Sequence, residues 1–105
     1  MIRSFNDSET KLIYDGFFSR KLPADIQSVA RRKLRMIDAA KTVKDLRIPP
    51  GNRLEQLHGD LEGYWSIRIN DQFRVIFIFD EGGADHVQIT DYHGNASEYS
   101  SGRGT

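Results

Sequence analysis

The tripeptide Asp91-Tyr92-His93 and the lone Arg74 are the residues of this chain whose types and spacing could do chemistry. A histidine takes or gives a proton near neutral pH, and a nearby carboxylate can orient its ring and support its charged form. Alternation along a strand sends Asp91 and His93 to one face and Tyr92 to the other. A histidine at a strand end is ordinarily just solvated, so the tripeptide alone supports catalysis only weakly. Arg74 interrupts the apolar run from Phe73 to Phe79, and a guanidinium with such neighbours needs a partner. One candidate partner is a carboxylate such as Asp91, in a structural ion pair. The other is a phosphate bearing developing charge, which the planar fork fits. On physical grounds the two stand level.

Other chemistries lack their residues. The chain has 3 histidines and no cysteine, and none of the histidines stands at metal-ligand spacing. No metal and no cofactor are therefore expected. Phosphate loops of the Walker or dinucleotide type are absent, Gly82-Gly83 being explained as a turn, and there is no Gly-x-Ser-x-Gly elbow. No run of apolar residues approaches the roughly 20 needed to span a bilayer, and Met1-Ile2-Arg3-Ser4-Phe5 lacks the apolar core of a signal peptide. A soluble cytoplasmic protein is the expectation.

The elements that must position these residues follow from periodicity. Tyr64 to Asn70, Phe73 to Phe79 and His86 to Tyr92 read as three strands, the middle one apolar enough to be buried on both faces and to form the spine of the sheet. Residues 70–72 suit a tight hairpin and residues 80–85 a looser one, so a meander is expected. Ile2 to Phe5 reads as an edge strand. Asp7 or Ser8 can cap a first helix expected to end near Ser19, with Leu12, Ile13 and Phe17 on its apolar side and Gly16 weakening its interior. Pro23 opens a second helix to about Ala40, whose stripe Ile26, Val29, Ala30, Leu34 and Ile37 faces the sheet, with Arg31, Arg32 and Arg35 opposite and Lys33 between the faces. Pro49-Pro50-Gly51 ends the helical half, and Arg53 to Leu57 is a short, irregular strand.

Charge is unevenly divided. Lysine and arginine number 15, as do aspartate and glutamate, yet residues 1–53 hold 12 basic against 6 acidic side chains and the remainder 3 against 9. The basic half fits either a solvated helix surface or contact with nucleic acid or an acidic protein.

With those residues placed, the chain resembles the HigB-type toxins of the RelE superfamily, the toxin half of bacterial type II toxin–antitoxin modules. The resemblance rests on Met1-Ile2-Arg3-Ser4-Phe5, on Leu54-Glu55-Gln56-Leu57-His58-Gly59-Asp60, on Gly63-Tyr64-Trp65-Ser66-Ile67-Arg68 leading to Phe73-Arg74-Val75, and on Asp91-Tyr92-His93, in fixed order. It implies an α+β fold, two N-terminal helices packed on an antiparallel sheet as in small microbial ribonucleases. It covers residues 1–93 as one toxin domain and leaves 94–105 as a tail expected to be mobile.

The implied activity is ribosome-dependent cleavage of mRNA without metal or cofactor, by attack of a ribose 2′-OH that leaves a cyclic phosphate. Carried onto this sequence, His93 transfers protons, Asp91 orients it or shares that work, Tyr92 positions substrate and Arg74 clamps the phosphate. Glu55 stands where some members have histidine, and a carboxylate there can serve as a base. Gln72, Arg68, His58 and Arg53 are the implied RNA contacts. Implied partners are a HigA-type helix-turn-helix antitoxin, the ribosome with its rRNA, and mRNA, operator DNA being reached only through the antitoxin and no membrane being involved. A weakly catalytic binding module of the same fold and a ribonuclease that needs no ribosome are the competing expectations.

Overall fold

The structure, a computed structural model, describes residues 1–91; Tyr92, His93 and the tail at 94–105 lie outside the described residues. Helix α1 (Ser8–Tyr14) and helix α2 (Gln27–Ala39) precede strands β1 (Glu55–Gln56), β2 (Trp65–Arg68), β3 (Phe73–Asp80) and β4 (Gly83–Asp91). The strands form one antiparallel sheet in the order β1-β2-β3-β4. This is the α+β meander expected, with β3 paired on both sides. Among the described residues no helix is long and apolar enough to cross a membrane.

One face of the sheet meets the helices. Ile13, Ala30, Leu34 and Ile37 pack with Ile67, Val75, Phe77 and Val87 in a single cluster, and Trp65 lies half-buried against it. Burying a side chain of that size stabilises the fold by about 1.5–3 kcal/mol. The outer edge of β4 is closed by the N-terminal segment, which runs parallel to it through bridges from Ile2 to Ala84 and from Phe5 to Val87. The fully buried hydroxyl of Thr10 on α1 accepts from the Ile89 amide at 3.0 Å, so helix and edge are joined by a bond where water cannot reach.

Four expectations are corrected. Helix α1 stops at Tyr14, because Gly16 adopts φ +96° and closes a Schellman turn, with Gly16 N donating to the Ile13 carbonyl at 3.0 Å and Phe17 N to that of Leu12 at 2.9 Å. Phe17 therefore lies outside the helix and is 61% exposed. The second hairpin is tight, since Asp80 pairs with Gly83 and both intervening residues, Glu81 at φ 47° and Gly82 at φ 77°, are left-handed. Strand β4 accordingly begins at Gly83 and reaches Asp91 through a bulge at His86, itself at φ 57°, which puts Ala84 and Val87 on one face. Arg53, at φ 47°, is not extended, so β1 is only the pair Glu55–Gln56.

The fourth correction concerns α2. Its stripe is buried as the spacing predicts, Val29 being half-buried, but Lys33 is buried with it at 7% exposure. Arg31 Nε and Arg35 Nη2, on the outer side, donate to the last carbonyls of α1, at 3.0 Å to Ile13 and 3.2 Å to Tyr14. Part of the basic half thus serves to cap α1 and tie the helices together.

Candidate functional site

The face of the sheet turned away from the helices gathers polar side chains in an order set by register. Glu55 on β1 is opposite Ser66 on β2, Ser66 opposite Ile76 on β3, Arg68 opposite Arg74, and Arg74 opposite Thr90 on β4. Because the side-chain period of a strand is two, these residues share one face while Phe73 and Val75 point to the core.

Arg74 is the centre of that face. It is 8% exposed, its Nη2 donates to the Arg53 carbonyl at 2.6 Å, and its Nη1 lies 3.5 Å from Glu55 Oε1. Reaching Glu55 means crossing β2, and Ser66, small and fully buried, stands between them in the register. The left-handed turn at Arg53 aims its carbonyl at β3 rather than along a β1 ladder. One edge of the guanidinium is therefore fixed by a short bond, while the other meets a carboxylate loosely, at the long end of ion-pair distance and on a side chain that is 52% exposed. A phosphate can exchange for such a carboxylate without disturbing the fixed edge.

Arg68 adds a second guanidinium beside the first, because directly opposed positions bring Cβ atoms to about 5 Å. It leans instead to Asp71 in the β2–β3 turn, which lessens the repulsion. In the same turn Asn70 Oδ1 accepts from the Gln72 and Phe73 amides at 2.8 and 2.7 Å, an Asx turn that fixes where Gln72 stands. Gln72 Nε2 then donates to Asp91 Oδ2 at 3.1 Å, so Asp91 is joined to the turn that precedes Arg74. Asp91 is opposite Phe73, one register step from Arg74, whose described carboxylate partner is Glu55.

The structure thus brings together Arg74, Glu55, the carbonyl of Arg53 and Arg68 on the face turned away from the helices, while Asp91, paired with Phe73, stands on the opposite face at the same end of the sheet and is joined to the β2–β3 turn through Gln72. His58 stands apart from them on the turn after β1, exposed, with Nδ1 3.6 Å from Glu62 Oε1. Tyr92 and His93 lie outside the described residues. Among the described residues no group of three or more His, Cys, Asp or Glu could hold a metal ion. Sequence reasoning missed Asn52, fully buried behind Arg53, and the role of Lys33. The second carried a signal: Lys33 takes the i+3 place in the series Ala30, Leu34, Ile37, where a stripe buries its occupant.

A family model described as the RelE-like toxin of the type II toxin–antitoxin system HigB matches residues 3–93. Toxin HigB-1 of Vibrio cholerae is 45% identical over 85 residues, which is 80% of this chain and 90% of that protein. Endoribonuclease HigB of Proteus vulgaris is 33% identical over 93 residues, 89% of this chain and 100% of that protein.

Proposed function

The chain belongs to the HigB-like toxin family, the RelE-like toxins of type II toxin–antitoxin systems, and from that premise we propose that it is an endoribonuclease that cuts mRNA on the ribosome. The observation that carries the proposal is Arg74, a nearly buried guanidinium with one edge held by a backbone carbonyl and the other turned to an exchangeable carboxylate. The activity in the name of the Proteus vulgaris relative supports it. A phosphoryl transfer needs charge stabilisation at phosphorus, held in place before the substrate arrives, and a fixed arginine supplies it.

In the reaction proposed, the 2′-oxygen of a ribose attacks the adjacent phosphorus and gives its proton to Glu55. The bond from phosphorus to the 5′-oxygen of the next nucleotide breaks, and that oxygen takes a proton from His93, oriented by Asp91. The products are a 2′,3′-cyclic phosphate and a 5′-hydroxyl, and no metal enters the scheme. Tyr92 positions the substrate; Gln72, Arg68, Arg53 and His58 contact RNA, Gln72 with an amide that offers both donor and acceptor to a base edge. Residues 1–93 form the toxin domain, which acts in the cytoplasm, and a HigA-type antitoxin holds it inactive.

The test is cleavage of a translated mRNA in a purified translation system, with and without ribosomes, by the native chain, Arg74→Ala and His93→Ala. Cuts that require ribosomes and are lost in both variants are expected. Cuts in bare RNA would replace the proposal by a ribosome-independent ribonuclease. No cuts at all by a folded chain would leave a binding module.

A further inference from the structure

Behind Arg74 lies a chain of bonds that reaches helix α2. Asn52 is fully buried; its Nδ2 donates to the carbonyls of Leu46 at 3.1 Å and Ile48 at 3.5 Å, and its Oδ1 accepts from Lys33 Nζ at 2.5 Å. Its own amide donates to the Pro49 carbonyl at 2.9 Å, and that of Arg53 to the Pro50 carbonyl at 3.0 Å. The turn that carries the Arg53 carbonyl is thus pinned to the crossover on one side and to α2 on the other. That carbonyl is the one that receives Arg74 Nη2 at 2.6 Å.

Lys33 is the costly member of this chain. An apolar side chain at its place would extend the stripe of α2 without desolvating an ammonium, and replacing buried ionic groups by apolar ones of like size is often neutral or stabilising. Burial, and after it the charges of Arg32 and Arg68, push the Lys33 ammonium below its usual range. The short bond to Asn52 is what the lysine supplies in return.

We propose that Asn52, locked by Lys33, is a positioning residue for Arg74: through the carbonyl of Arg53 it holds the guanidinium in the orientation that meets the scissile phosphate. The inference rests on the reading of Arg74 as the phosphate clamp. Fixing one edge beforehand removes rotamer freedom that an arginine would otherwise lose on binding. The bond to the Arg53 carbonyl is short and directional, so it restrains rotation about the last bonds of Arg74 in a way that apolar contact along the stem does not.

The test is ribosome-dependent cleavage by Lys33→Met and Asn52→Ala, each alone and combined with Arg74→Ala. Lys33→Met keeps the stripe apolar and folds even if Asn52→Ala does not. Each single variant should lower kcat/KM about 10- to 100-fold, the scale of a misplaced catalytic group. Neither should lower it further when Arg74 is already alanine, because residues acting through one another are not additive. The 15N resonances of the Arg74 guanidinium should show slow rotation in the native chain and average in Lys33→Met, a readout that needs no cleavage. Unchanged resonances, native cleavage by a folded Lys33→Met, or an equal loss in the Arg74→Ala background would each overturn the positioning role. Native cleavage by Arg74→Ala would instead remove the phosphate clamp, and the positioning role with it.

Discussion

Two polar clusters sit at different ends of the sheet and use charge in opposite ways. At the β3–β4 hairpin Arg3 gathers two carboxylates, Asp80 at 2.5 Å and Asp85 at 2.9 Å, with all three side chains partly in water. Behind the candidate site, Lys33 brings a single charge to Asn52, and both are buried. The hairpin cluster holds more ions and the shorter list of consequences. A group that loses its partner at the surface finds water; a group that loses its partner at Asn52 finds none. Desolvation, more than the number of charges, decides which cluster the fold depends on.

That contrast can be broken or sharpened by measurement. The largest effect is expected from Arg74→Ala, which should lower cleavage by about 100- to 1000-fold, as loss of one transition-state contact does; Arg3→Ala, at the hairpin, should cleave as the native chain does. Next comes Asn52→Ala, which should destabilise the fold by about 1–3 kcal/mol in urea unfolding, because it strands the Lys33 ammonium and two carbonyls. A smaller cost would mean that water reaches this cluster after all.

The pH dependence of Lys33 comes third. Its folded value lies below the ordinary 10.5, so between the two the unfolded chain binds more protons and stability rises with pH. Below the folded value the burial penalty is present in full. Lys33→Met should lack that alkaline rise, and a parallel rise in both chains would show that another group causes it. The smallest effect is expected from Arg3→Ala. Arg3 holds the Asp85 carboxyl below its ordinary range, chiefly through their hydrogen bond, so its contribution is present above that range and fades as pH falls through the lowered folded value. The drop in Tm should be less than for Asn52→Ala and should shrink in about 1 M salt, where the Debye length is about 3 Å.

The two clusters also differ in how legible they were. Arg74 announced itself, since a cation inside Phe73–Phe79 violates the pattern of its own strand. Its described partners did not: Glu55 is two strands away and meets it only because β1, β2 and β3 pair in one register, and the Arg53 carbonyl turns toward it through a left-handed residue that no propensity marks. Lys33 stood in the buried series of α2, yet a lysine reads as surface until a buried acceptor is known. At the other end, Gly16 and Gly82 were visible as glycines. Whether each weakens, ends or turns the chain depends on φ, which the residue type permits but does not choose. The bulge at His86 hid the start of β4, since one extra residue reverses the alternation that a strand is read by.

What the sequence determined by itself was the α+β class, the meander, the core stripe of α2 and the odd arginine, because each is written in local periodicity and residue type. What only the tertiary structure decided was which groups Arg74 touches and what holds them there. Those contacts join residues 33, 52, 53, 55 and 74 across a helix, a turn and two strands. No local pattern can encode which buried polar groups will satisfy one another; that is settled when packing removes the water and leaves each of them the partners that remain.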